Sequence, residues 1–326
     1  MNILLSFIGK LPDYTIECIY QIRLYYNGDI YLIYDDYNCI FIDKLLEYKI
    51  KLINYEHVNK HELDNYINKF TYVHGLFGRE LLFYRSYERM FLANNLIEKL
   101  SLKDTIFMEI DNLLYDNPEN WIEEFSVKGI AYMSCSNTNY SSGIMYIKNN
   151  NSIKELTNYL LKTLINNSSE FISEMTVLKK YYEDYPEKIY MMPILYNDIK
   201  NNINIDTYKN YKDHLYDPAS YGQYLLGFDA FHTNGKIIKG KSIEENNHLV
   251  STNYIVYNRY KIEFKTINGY KKPYILNENI NEWILIRNLH VHSKDLISGL
   301  SKDINDTNIN DTDYDIITGE KMQNAC

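Results

Sequence analysis

Residues 105–115 read TIFMEIDNLLY, and the rest of the chain is organised around them. Thr105 to Ile110 is a short apolar run with the pattern of a buried strand. It ends on Glu109 and Asp111, two residues apart, so the period of a strand puts both carboxylates on one side. A polar loop, Asp116-Asn117-Pro118, follows. Ligand sites of open α/β sheets lie beyond the carboxyl ends of strands. A carboxylate pair emerging there suits a hard divalent cation that also holds a diphosphate. The plain alternative is a strand followed by a solvated turn, and what decides between them is whether other residues converge on the pair.

Upstream, Asn2–Ile8 reads as a strand ended by Gly9-Lys10-Leu11-Pro12, residues 13–26 as a helix, and Asp29–Tyr34 as a second strand stopped by Asp35-Asp36. A short helix over 41–49 and a third strand, Lys51–Tyr55, complete the cadence of a parallel, doubly wound α/β sheet. Helical periodicity covers 58–69 and, at greatest length, Arg79–Leu100. Downstream, Gly129–Ser134 and Gly143–Ile147 read as strands around a small polar loop. Ile153–Leu164 and Glu170–Tyr181 read as helices, and Lys188–Leu195 as an edge strand around its proline. Residues 196–210 read as loop, Asp217–Leu225 as a short helix capped by Asp217, and 235–240 as a basic, mobile stretch. Residues 253–265 pair with 271–276 across Asn268-Gly269, and Trp283–Val291 is the last strong strand. The expected division is one domain over 1–300 and an acidic, poorly ordered tail over 301–326.

The 326-residue chain is 45% hydrophobic, enough for a sizeable core, and its net charge of −9 argues against a general nucleic-acid binder. Its 34 tyrosines accompany many Asn, Ile and Lys, residues with AT-rich codons, which points to an AT-rich microbe or a large virus. Cys18, Cys39, Cys135 and Cys326 show no paired spacing, so a zinc cluster or disulfide framework is not expected. The first residues, MNILLSFIGKLPDY, lack a basic leader, and no window reaches the ~18 apolar residues of a membrane helix. The expectation is a soluble cytoplasmic protein, in the host cytoplasm if viral, with no membrane span.

Three features qualify to meet the acidic pair. His290-Val291-His292-Ser293-Lys294 places two imidazoles on one strand face and a lysine just beyond. An imidazole can complete the shell of a carboxylate-bound Mn²⁺, and a lysine can neutralise a diphosphate. Tyr87-Glu88-Arg89 lies on the long helix that feeds the acidic strand, where Arg89 can fork onto a phosphate or sugar hydroxyl. Ser141-Ser142-Gly143 offers hydroxyls and close backbone approach.

In this order the parts resemble nucleotide-sugar glycosyltransferases of the GT-A fold. The strand–helix–"IYLI" opening is followed by a Tyr-x-Arg helix (Tyr87, Arg89) and an Asp-x-Asp strand end (Glu109-Ile110-Asp111). A Ser-Gly strand (Ser142-Gly143-Ile144-Met145-Tyr146-Ile147) and a late His near a Lys complete the set. Tyr221–Gly227 and Asn288–Lys294 also resemble such proteins. The resemblance covers roughly residues 1–300 and implies a central, mostly parallel mixed sheet flanked by helices. It implies Asp111 as main metal ligand, His290 or His292 as the second, and Lys294 on the diphosphate, with Mn²⁺ or Mg²⁺ as cofactor. It puts Arg89 on the donor, Phe7, Ile8 and Leu11 near the base, and Asp35 or Asp36 near the ribose or base. Glu109 stands where the family has its first Asp, which puts direct metal contact there in question. Ser142, Gly143 and Gln223 complete the donor contacts.

The implied reaction moves a sugar from a nucleoside diphosphate, UDP by family expectation, to an acceptor hydroxyl on a glycan or protein. An inverting enzyme needs a base, for which Asp217, Asp229 and Glu174 are candidates; retaining and inverting courses both stay open. The rivals are a GT-A-like sugar-nucleotide or glycan binding protein without catalysis, and a nucleotidyltransferase. The second wants a glycine-rich phosphate loop after the first strand, where this chain has one glycine and Pro12.

Overall fold

The structure is a computed structural model and describes residues 1–35, 39–58, 63, 80–135, 138–166, 172–194, 214–227, 261–277 and 281–305. The first half alternates strand and helix: β1 (Asn2–Ser6), α1 (Thr15–Arg23), β2 (Asp29–Tyr34), α2 (Cys39–Glu47) and β3 (Lys51–Asn54). Then come α3 (Glu80–Leu100), β4 (Thr105–Met108), β5 (Asn112–Leu114), β6 (Ile130–Ser134), β7 (Tyr140–Ile147), α4 (Asn150–Asn166), α5 (Glu174–Asp184) and β8 (Ile189–Met191). The described remainder holds β9 (His214–Leu215), α6 (Tyr221–Leu226), β10 (Ile262–Ile267), β11 (Tyr270–Asn277), β12 (Glu282–Ile286) and β13 (Asn288–His290).

Among the described residues, seven strands form a central mixed sheet in the order β3-β2-β1-β4-β7-β6-β8. The first four run parallel, and β7 is antiparallel to both β4 and β6. Alternation along each strand divides the core in two. Ile3 and Leu5 pack with Ile16, Ile19 and Tyr20 of α1, whereas Leu4 and Phe107 pack with Tyr87, Met90 and Phe91 of α3. A sheet buried on both faces explains the near-continuous apolar strands. The order of strands reverses about β1, whose neighbours are β2 and β4, so a crevice opens at their carboxyl ends. The expected mixed α/β sheet flanked by helices is present, and β8 is the expected edge strand.

Several boundaries differ for reasons that lie in pairing. β4 stops at Met108, so Glu109 and Asp111 occupy a turn and not a strand. Ser141-Ser142-Gly143 is strand, not loop, because β7 starts at Tyr140 to pair with Ser134. The run Trp283–Val291 is two strands: β12 joins a sheet ordered β10-β11-β12-β9, and β13 leaves it to pair with β5. α5 begins at Glu174, with the Ser173 side chain accepting from the backbone of Thr176 as its cap, four residues later than periodicity implies. The hairpin across Asn268-Gly269 forms with both turn residues at positive φ, 53° and 77°. The expected helix over 58–69 lies almost wholly, and the stretches 196–210 and 235–240 wholly, outside the described residues, as does the tail beyond 305.

Candidate functional site

Two chain reversals assemble the site. After β4, Glu109 N donates to the Gly143 carbonyl (2.9 Å) and Asn112 N to the Glu109 carbonyl (3.2 Å), closing a tight turn around the acidic pair. β5 then pairs antiparallel with β13, with Asn288 opposite Leu114, Leu289 opposite Leu113 and His290 opposite Asn112. Val291 N donates to the Asp111 carbonyl (2.8 Å), extending the ribbon one step. Residues near the end of the described chain are thereby laid against its middle.

His290 Nε2 lies 3.1 Å from Glu109 Oε2 and 3.3 Å from Asp111 Oδ1. One ligand atom from each of the three residues falls within 4.8 Å of the others, a group able to hold a metal ion. Asp111 Oδ1 is buried and accepts no well-aligned hydrogen bond, as a carboxylate oxygen shaped for a cation should be. Two carboxylates and one imidazole form a mixed O/N donor set that suits Mn²⁺ better than Mg²⁺, which prefers oxygen throughout. The Lys294 ammonium pairs with the other oxygen of Asp111. Burial alone would push the Asp111 carboxyl up, but Lys294 and His290 together hold it well below the ordinary carboxylate range. Lys294 has φ 63°, a left-handed conformation costly for a side chain with a Cβ. Tyr14 sits beneath it, its ring 5.9 Å from the ammonium, and burial raises the phenol to about 12.

Arg89 backs this cluster. It pairs with Glu109, lies 3.8 Å from Glu174 Oε1 and donates to Ser142 Oγ (2.9 Å). Burial lowers its pKa, yet a guanidinium remains charged. Burial likewise raises Glu174, whose side chain is 6% exposed, with Arg89 opposing the shift. Glu88 takes Arg85 as its partner and leaves Arg89 to the site. Gly143 lets these side chains approach the strand closely: a Cβ would come within 2.9 Å of His290 Nδ1 and 3.3 Å of Glu109 Oε2.

Asp217 has a different role from the catalytic base expected of it. It is fully buried, and its carboxylate accepts from the backbone N–H groups of Ser220 (2.5 Å), Tyr221 (2.8 Å), Gly222 (2.7 Å) and His290 (2.9 Å). Burial pushes its pKa up and the four donors pull it back. With its lone pairs taken, it clamps α6 to β13 and has no oxygen left to accept a substrate proton. Asn288 extends the clamp, accepting from Asp217 N (3.0 Å) and donating to Asn112 Oδ1 (3.1 Å), while Asn112 donates to the Gly143 carbonyl (3.1 Å). The capped helix starts at Tyr221, not at Pro218.

No protein-family model and no curated protein matches the chain. Among solved structures it is similar to the PaToxG glycosyltransferase, at 14% identity and TM-score 0.37, over 57% of this chain and 68% of that one. It is similar to mouse xyloside xylosyltransferase 1 in its apo form, at 11% identity and TM-score 0.39, over 59% and 86% of the two chains. A third is the galactosyltransferase LgtC in complex with donor and acceptor sugar analogs, at 9% identity and TM-score 0.39, over 59% and 73%. These likenesses are distant and partial.

The structure thus brings Glu109, Asp111, His290, Lys294, Arg89, Ser142, Gly143 and Glu174 together. His292 stands beside them, its ring centroid 4.7 Å from that of His290, but is not part of the three-residue group. Phe7 and Ile8, just after β1, and Asp35, just after β2, lie on the same rim of strand ends. Leu11 is fully buried in the core and presents nothing to a base. Ser142 is 2% exposed and holds Arg89. Gln223 is fully buried with neither amide atom hydrogen-bonded. Asp36 and Asp229 lie outside the described residues. Tyr14 and Asn112 carry no expectation in the sequence reading, and Asn288 and Gly222 figure there only within segments that resemble the family; an asparagine in each of two apolar runs is the available signal for Asn112 and Asn288.

Proposed function

We propose that the chain is a metal-dependent glycosyltransferase that moves a sugar from a nucleoside-diphosphate donor, with UDP as the expected nucleotide, to an acceptor hydroxyl on a glycan or protein. The observation that carries this reading is the Glu109–Asp111–His290 group at the reversal point of the sheet, with Lys294 beside it. Asp111 and His290 would hold the cation, and Glu109, steadied by Arg89, would complete its shell or reach the ribose. When bound, the cation supplies neutralisation of the charge that grows on the departing diphosphate. Lys294 adds a second positive charge on a flexible stem, matched to the leaving group and not to the neutral sugar. Because its present partner is Asp111, Lys294 must change partner when a cation and diphosphate arrive. Phe7 and Ile8, just after β1, and Asp35, just after β2, would meet the nucleoside. Glu174 is the remaining described candidate for a base, although it is paired with Arg89.

Thermal shift with UDP, with and without Mn²⁺, tests the reading in wild type and Asp111→Ala. UDP should stabilise the wild type only when Mn²⁺ is present, and the mutant not at all. Stabilisation that survives the mutation unchanged would refute the site. Mn²⁺-dependent release of sugar from a UDP-sugar separates an enzyme from a protein that only binds the donor.

A further inference from the structure

The sheet β10-β11-β12-β9 contributes nothing to the metal group, yet its register builds a face of its own. Directly opposed residues of an antiparallel pair share a face, so Lys265 stands opposite Lys272 and Ile267 opposite Tyr270. Like charges in opposed positions are destabilising. Among the described residues, Glu263 is the one carboxylate ion-paired here, 3.7 Å from Lys265 and 3.7 Å from Lys261. Otherwise the ammonium groups rest on rings: Lys265 lies 3.3 Å from the Trp283 centroid, Lys272 4.7 Å from Tyr25, and Lys302 4.0 Å from Tyr270. A ring face attracts a cation without cancelling its charge.

Residues 261–277 contain four lysines and one glutamate, in a chain of net charge −9. One exposed aliphatic side chain stands on this face: Ile267, at the hairpin turn, is 44% exposed. Lys271, opposite Thr266, alternates to the other face, where its ammonium donates to Ser298 O (2.6 Å).

We propose that this face docks on an anionic phospholipid surface. Its charge calls for a negative partner. The exposed Ile267, with tryptophan and tyrosine rings among the lysines, selects a lipid surface over a soluble polyanion, because such groups gain by entering the boundary between headgroups and acyl chains. Each lysine held near an anionic surface contributes about fivefold to partitioning. The proposal is independent of the reaction assigned above.

Co-sedimentation of the full chain with vesicles tests it, comparing phosphatidylcholine alone with equal parts phosphatidylcholine and phosphatidylglycerol. The chain should bind the mixed vesicles only, and more weakly as salt rises. Lys265→Gln with Lys302→Gln should lower binding about 25-fold. Ile267→Ser should weaken vesicle binding and leave retention on heparin unchanged. A melting temperature and a Mn²⁺–UDP response equal to wild type exclude misfolding of either variant. Equal binding to neutral vesicles, indifference to the lysine pair, or retention on heparin without vesicle binding would overturn the proposal.

Discussion

The parallel half of the central sheet and the β5–β13 ribbon are held by different forces. β1 pairs with β2 over five residue pairs and with β4 over four, and Ile3, Leu4, Leu5, Ile106, Phe107 and Met108 are at most 1% exposed. The ribbon has three pairs and keeps its place through Asp217, Asn288 and Asn112. Apolar burial is non-directional and tolerates exchange of similar volumes. A buried polar network is directional, and losing one member strands the others. The sheet therefore determines where a site can be, and the ribbon determines whether its residues meet.

That contrast can be broken from either side. Asp217→Ala strands four buried N–H donors and should cost about 4 kcal/mol or more, read from the denaturation midpoint. It should also abolish Mn²⁺ binding in whatever remains folded. Phe107→Ala, at a site 1% exposed on the sheet, should cost about 3 kcal/mol while folded molecules keep wild-type Mn²⁺ affinity by calorimetry. Gly143→Ala sharpens the comparison, since it presses on His290 from the sheet side. It should cost about 1 kcal/mol of stability and about tenfold in Mn²⁺ affinity. The smallest effect is one of pH. Glu174 has a carboxyl raised above its ordinary 4.5 by burial, so in that window the folded chain keeps a proton the unfolded chain has lost. Stability should fall as pH rises from 4.5 through the folded value, and Glu174→Gln should flatten that slope in pH-dependent unfolding curves.

The acid pair, Arg89, His290 and Lys294 are legible in the sequence because each belongs to a local pattern: an apolar run ending in carboxylates, a helix entering it, a strand ending in a lysine. The alternation of strand and helix over the first 55 residues is legible for the same reason. What pattern does not carry is the pairing of segments far apart. Asn112 and Asn288 are separated by 176 positions, and their contact belongs to the β5–β13 pairing that follows the end of β4 at Met108 and the break of the last apolar run at Arg287. Asp217 was misread for a related reason. An acid before a proline looks the same whether it meets solvent, substrate or four buried amides, and only the packing of α6 on β13 distinguishes these. The resemblance left His290 and His292 open, and the ribbon's register separates them by putting His290 opposite Asn112.

Lys294 carries its charge on a backbone that glycine would adopt more comfortably. Replacing it with glycine would ease the backbone and, by the same stroke, strip the buried Asp111 carboxylate of its ammonium and silence the site. Hardier variants of this chain are therefore to be sought away from this position, with turnover screened together with heat resistance.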